Sequence, residues 1–304
     1  MTRPYTSGDL EAVLRLWEEA GGWYRTTMPV TSAMARGAFE KLTARPGFFR
    51  APIVHTAWID PDEGPSSAFL YARREPDIGY VVPLLRGEAG AERSMEELIR
   101  AAQGWFAALG ARTFRVDLPS DRPELAEPFL DRGRGLWHRD VFRWRSAPML
   151  PTPGRSIVPF RARHKAAIDH LARARFPTGM PPAAPIPFLE APHASWMPLP
   201  TAPVGTRMWV VEAGESVAGV AGATRFVEGD CAELAPFILA PGLPAATASE
   251  LVGAVLAWLK PLGVGVIRAS LPRGLEAEAE ALRTTGFERI AEGDVVEVRV
   301  PTRR

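Results

Sequence analysis

Residues 79–110 read GYVVPLLRGEAGAERSMEELIRAAQGWFAALG, and residues 235–263 read APFILAPGLPAATASELVGAVLAWLKPLG. Each is an apolar strand ending near a proline, then a loop of small residues, then an amphipathic helix closed by glycine. In the first, Met95, Leu98, Ile99, Ala102, Phe106 and Leu109 share a helical face; in the second, Val252, Val255, Leu256 and Leu259 do. A further strand follows each time, ARTFRVDLPS over 111–120 and VGVIRASLP over 264–272. Short segments then lead to Gly135-Leu136 and to Gly286-Phe287.

The repetition extends upstream. Asp9 is placed to cap a helix with Leu10, Val13, Leu14 and Trp17 on one face, and Ala167, Ile168, Leu171 and Ala174 mark its counterpart. Strand pairs precede both quoted stretches: APIVHTAWID with AFLYARRE, and a hairpin in MWVVEAGESVAGVAGATRF turning at Gly214-Glu215. Pro4 matches Pro159, Pro83 matches Pro241, Gly110 matches Gly263 and Gly135 matches Gly286, offsets of 155, 158, 153 and 151. The drift predicts loop-length changes. Pro83 to Gly110 spans 27 positions and Pro241 to Gly263 spans 22, which predicts an extra helical turn or a longer loop in the first copy. The proline-rich joint over 146–155 sets a boundary near 150, giving domains 1–150 and 151–304. The expected class is α/β, a mixed sheet with helices on its faces, built twice.

Composition narrows the functions. Of 304 residues, 46% are hydrophobic, enough to fill sizeable cores, and the formal charge is +1 with no long Lys/Arg run. That gives no electrostatic footprint for nucleic acid. Cys231 is alone, so an intrachain disulfide and a cysteine-rich zinc site are excluded. His55, His138, His164, His170 and His193 form no close metal motif. The sequence has no stretch for a membrane helix and no signal-peptide core, so a soluble cytoplasmic protein is the expectation, with no membrane or nucleic-acid partner. The sequence leaves monomer and homodimer open.

The loops carry the chemistry. Arg86-Gly87-Glu88-Ala89-Gly90-Ala91 lies between a strand and a helix start, where free N–H groups, the helix dipole and Arg86 suit a pyrophosphate. Glu88 opposes this, and the alternative is a helix start that merely needs small residues. The second copy offers Gly242 and Pro244-Ala245-Ala246-Thr247-Ala248 without an arginine. Neither is a dinucleotide fingerprint or a P-loop, because GxGxxG and GxxxxGK[ST] are absent there. Trp105, near an apolar helix face, and Trp196, in the proline-rich stretch 177–203, are each assigned first to packing.

Each half resembles a GCN5-related N-acetyltransferase (GNAT) domain. Val81-Val82-Pro83 fills the family's strand end. Arg86, Gly87, Ala89, Gly90 and Ala91 follow its Arg-Gly-x-Gly-x-Gly/Ala loop. In the second half Leu239-Ala240-Pro241, Pro244, Ala245, Ala246, Thr247 and Ala248 take those places, and Gly286-Phe287 matches the terminal Gly-Phe. The resemblance implies two tandem acyl-CoA N-acyltransferase domains with degenerate loops. It implies acetyl-CoA as cofactor at the loops just named, and a small-molecule or peptide amine as acceptor. The reaction is then direct attack of the amine on the thioester, with Glu233 or Tyr80 removing its proton and Asp77 a lesser candidate. The family's acid tyrosine is replaced by Asp131 in the first half and Leu282 in the second. The alternative is an inactive tandem protein that binds a ligand or partner. Glu233 tilts the expected catalysis toward the second half. An opening between the two central parallel strands supports catalysis in a half, and a side chain plugging it opposes that.

Overall fold

The computed structural model describes residues 2–27, 36, 37, 39, 40, 54–60, 68–74, 79–86, 91–145, 151, 152, 154, 156–176, 203–226 and 231–301. One order of elements runs twice. The first pass comprises β1 (Arg3–Pro4), α1 (Leu10–Ala20), α2 (Gly22–Thr27), β2 (Val54–Asp60), β3 (Ala68–Arg74), β4 (Gly79–Leu85), α3 (Ala91–Ala108), β5 (Thr113–Pro119), α4 (Pro123–Leu130) and β6 (Gly133–Trp144). The second comprises β7 (Ile157–Pro159), α5 (Lys165–Arg175), β8 (Pro203–Ala213), β9 (Ser216–Phe226), β10 (Cys231–Leu239), α6 (Ala245–Leu259), β11 (Val266–Pro272), α7 (Glu276–Thr284) and β12 (Phe287–Arg299).

All twelve strands join one mixed sheet in the order β1-β2-β3-β4-β5-β12-β6-β11-β10-β9-β8-β7. The last strand of each half has crossed over. β12 pairs antiparallel with β5 of the first half, and β6 pairs antiparallel with β11 of the second. β6 and β12 also pair with each other along most of their length. The sheet therefore has no edge at the junction, and hydrogen bonds run through it from β1 to β7.

Helices cover both faces because each presents one apolar stripe. Val13, Leu16 and Trp17 of α1 bury against Phe69, Tyr71, Val82 and Leu84, while Leu98, Ile99, Ala102 and Phe106 of α3 bury against the opposite face. In the second half α6 and α7 cover one face and α5 the other. α6 reads as apolar nearly all round because both of its sides are covered: Leu251, Val252, Val255, Leu256 and Leu259 are all buried.

The strand registers give the true internal correspondence. In the parallel pair β4–β5, Gly79 faces Phe114 and Val81 faces Val116; in β10–β11, Ala232 faces Ile267 and Leu234 faces Ala269. From β4 onward one offset of 153 aligns buried positions, Phe106 with Leu259, Ala126 with Ala279 and Phe129 with Leu282. Upstream, α1 and α5 align at 155, as Pro4 and Pro159 indicate. Gly110 and Gly263 also match, with φ of 74° and 70°, a left-handed conformation that glycine adopts without strain.

Two landmarks need correction. Pro83 corresponds to the bulge at Ala235-Pro236 of β10, not to Pro241, which lies beyond the strand end in a turn. The expected extra helical turn is accordingly absent: α3 has 18 residues, and the 15 of α6 run directly into a 3-residue 3-10 turn, Lys260–Leu262. Gly135 lies inside β6, so Gly133 takes the place of Gly286. Phe129, not Asp131, then corresponds to Leu282, and both are fully buried.

Candidate functional site

Both parallel pairs part midway. Pairing between β4 and β5 ends at Val81 and Val116, leaving Val82 to Leu85 and Asp117 to Pro119 unpaired with each other. Pairing between β10 and β11 ends at Leu234 and Ala269, at the bulge between Leu234 and Phe237 of β10. Each split exposes backbone N–H and C=O groups that must find partners elsewhere.

The first split opens into a cavity of about 640 Å³. Pro83 and Leu85 come from β4, and Pro119 to Arg122 with Leu125 come from β5 and α4. α1 and α2 add Glu19, Ala20, Gly22, Trp23, Tyr24 and Thr26. The crossed strand β12 contributes Ile290, Ala291 and Glu292, so this cavity draws on both ends of the chain. Trp23 Nε1–H donates to the Glu292 carbonyl at 3.3 Å, and the Ser120 hydroxyl donates to Asp294 at 2.9 Å. Glu292 is held ionised, its carboxyl pulled below the usual range first by hydrogen bonding to Arg273. Burial pushes the Tyr24 phenol well above its ordinary value, and its O–H donates to the Asp117 carbonyl at 3.1 Å. At the mouth, Arg86 pairs with Glu19 at 2.7 Å.

The second split is closed. Glu278 of α7 is completely buried, and it accepts the Leu239 backbone N–H of β10 at 3.2 Å. Its other partner is Arg175, which reaches it from the end of α5 with contacts of 3.3 and 3.4 Å. Leu275 packs with Ile168, Leu171, Val210 and Ile238 on the α5 side. An ion pair and a leucine thus fill the gap between β10 and β11. At offsets of 155 and 153, Arg175 corresponds to Ala20 and Glu278 to Leu125, and both of those line the open cavity.

No protein-family model and no curated protein matches this chain. Solved structures do match over its full length. A GCN5-related N-acetyltransferase from Sphaerobacter thermophilus superposes with a TM-score of 0.63 at 13% identity, covering 100% of this chain and 96% of that one. The fold is that of the GCN5-related N-acetyltransferases. A tandem GNAT protein from the clavulanic acid biosynthesis pathway gives 0.57 at 13% identity, covering 100% and 99%. A putative acetyltransferase from Pyrococcus horikoshii gives 0.55 at 13% identity, covering 100% and 91%.

Within this GNAT fold the expected site residues fall in different places. Arg86 stands at the mouth of the open split, and Ala91 opens α3. Gly87, Ala89, Gly90, Asp77 and Trp196 lie outside the described residues. Pro244 caps α6, and Ala245, Ala246, Thr247 and Ala248 form its first turn; Ala248 N–H bonds back to the Pro244 carbonyl. Leu239 ends β10 with its N–H already taken by Glu278. Tyr80 is half-buried on β4 opposite Arg115. Glu233 occupies the matching place on β10, 5% exposed and paired with Arg268 at 3.4 Å. Trp105 packs edge-on to Trp58, a core role. The sequence reading missed Leu125, Ala20 and Ala291, because nothing marks small or apolar residues as cleft walls until the register is known. Among the described residues no helix is long and apolar enough to span a membrane.

Proposed function

We propose that this protein is an acetyl-CoA-dependent N-acetyltransferase built from two tandem GNAT-like domains, 1–150 and 151–304, with the working cleft in the first. One observation supports the reading most: at matched positions the first split has Ala20 and Leu125 beside a cavity, while the second has Arg175 and Glu278 paired inside it. Acetyl-CoA supplies an activated thioester when bound. The free edges of β4 and β5 fit its pantetheine arm, since they offer unpaired peptide groups in an elongated gap. Arg86 and the start of α3 are placed for the pyrophosphate.

The acceptor amine enters beside α2. Glu292, held ionised, suits docking of an ammonium more than removal of its proton. Asp121, which lines the same cavity and stands outside the Arg273 and Arg289 ion pairs that hold Glu292, is the better base, directly or through water. The leaving thiolate takes its proton from water, since the Ser120 hydroxyl beside the cavity already donates to Asp294. The inactive reading draws support from Phe129 and Leu282, which put no acid at the place of the family's tyrosine in either half.

Calorimetry with acetyl-CoA tests the assignment. One equivalent is expected, lost in the double variant A20R/L125E and kept in R175A/E278L. Two equivalents in the wild type, or loss of binding on altering only the second split, overturns it. Thiol release across a panel of amines separates the enzyme from the inactive binder.

A further inference from the structure

The unexplained feature is a buried polar chain under the junction of the halves. Glu233 and Arg268 are both buried, on β10 and β11 of the second half. Their ion pair does not face the second split. Arg268 Nη1 instead donates to the carbonyl of Thr27, the last residue of α2, at 2.7 Å. Arg143 of β6 donates to the adjacent Thr26 carbonyl. Two guanidinium groups thus cap the C-terminus of α2, where unsatisfied carbonyls and the helix dipole favour cations. The Thr27 hydroxyl turns back to the Trp23 carbonyl at 2.8 Å. Arg139 lies over the Trp23 ring at 5.4 Å, pairs with Asp117 at 2.9 Å and donates to Ser270 at 2.8 Å. α2 is the element that supplies Gly22, Trp23, Tyr24 and Thr26 to the open cavity.

We infer that Glu233 and Arg268 are positioning residues for the first cleft: Glu233 orients Arg268, and Arg268 fixes the end of the helix that walls the cavity. The carboxylate best placed by sequence to be a base of the second half therefore serves the site of the first. The effect on binding rests on the reading that the first cleft holds the coenzyme; the mechanical link does not. A guanidinium buried without its carboxylate cannot stay desolvated, so loss of Glu233 should release α2 as loss of Arg268 does.

Hydrogen exchange and acetyl-CoA calorimetry on R268M, R268K and E233Q test this in the full chain. In R268M and E233Q, exchange over residues 22–27 should rise, with residues 113–119 and 287–299 staying protected as internal controls of folding. Acetyl-CoA affinity should fall about tenfold with the stoichiometry unchanged, and R268K should recover most of it. Should R268M unfold, E233Q against R268K carries the comparison. Unchanged exchange over 22–27 overturns the inference. So does an E233Q protein with normal exchange and affinity but no thiol release, since Glu233 would then be catalytic. A wild-type protein that binds no acetyl-CoA defeats the proposed function instead, and the exchange result still decides the link to α2.

Discussion

The two splits share a backbone plan and differ in what stands inside them. At one matched pair of positions the first has alanine and leucine, the second arginine and glutamate. The glutamate does two jobs: it neutralises the arginine, and it takes the Leu239 N–H that the parting of β10 and β11 leaves over. A split strand pair carries a hydrogen-bonding debt, and this chain meets it with a side chain in one half while leaving a ligand-sized space in the other. On the proposed reading, what projects into a GNAT-like split from the flanking helices decides whether it has room for a coenzyme.

Installing the second half's pair in the first is the severest challenge to that contrast. A20R/L125E should lower acetyl-CoA affinity by about a hundredfold or more, roughly 2.8 kcal/mol, measured by calorimetry. Next comes the plug itself. E278A strands Arg175 and the Leu239 N–H, and should cost about 3 kcal/mol in urea unfolding, the low end for a broken buried pair because Arg175 is partly solvated. E278Q keeps an acceptor for Leu239 and should cost less.

The cores behind the splits also differ, in size. Where the first half has Gly79, Phe106 and Phe114, the second has Ala232, Leu259 and Ile267, all buried. The two phenylalanine rings stack at 5.1 Å, and a Cβ on Gly79 would come within 2.3 Å of Phe106. G79A should therefore cost about 1–3 kcal/mol, and adding F106L should recover part of it, whereas A232G merely loosens its site.

The smallest contrast lies at the start of the first helix in each half. Asp9 accepts from Thr6 and pairs with Arg3 at 2.5 Å, which brings its carboxyl down to about 2, hydrogen bonding to Arg3 being the largest cause. His164 occupies the matching place, taking the Arg161 N–H on Nδ1. A carboxyl lowered by folding stabilises above its unfolded value near 3.8, and that stability is lost as pH falls from there toward about 2. Solvent screening by the exposed Arg3 keeps it under about 1 kcal/mol. D9N should lower stability at neutral pH by that same amount, under about 1 kcal/mol, and flatten the acid limb between pH 4 and 2.

Much of the fold was legible because strand, loop and helix repeat with their apolar faces intact, and Gly110 and Gly263 hold the same turn. Prolines misled where a bulge in β10 shifted one of them, so the loop alignment slipped by five residues. Arg86 could be singled out because charge beside a small-residue loop is a local signal, and it stands beside the open split paired with Glu19. The closure of the second split was not, since Glu278 reads as one more acid on a charged helix, EAEAEALRT. Only the register reveals that it points inward. The crossing of β6 and β12 was equally hidden, because either strand satisfies the same alternating pattern wherever it pairs.

That crossing bears on how the chain comes to be folded in a cell. β5 is finished at Pro119, but the strand that pairs beside it begins at Phe287. At synthesis rates of about 5–20 residues per second, the first half waits on the order of ten seconds with an open strand edge. During that time β6 has the sequence to occupy β5 itself. The native arrangement is then the outcome of a competition between a neighbour that arrives early and a partner that arrives last.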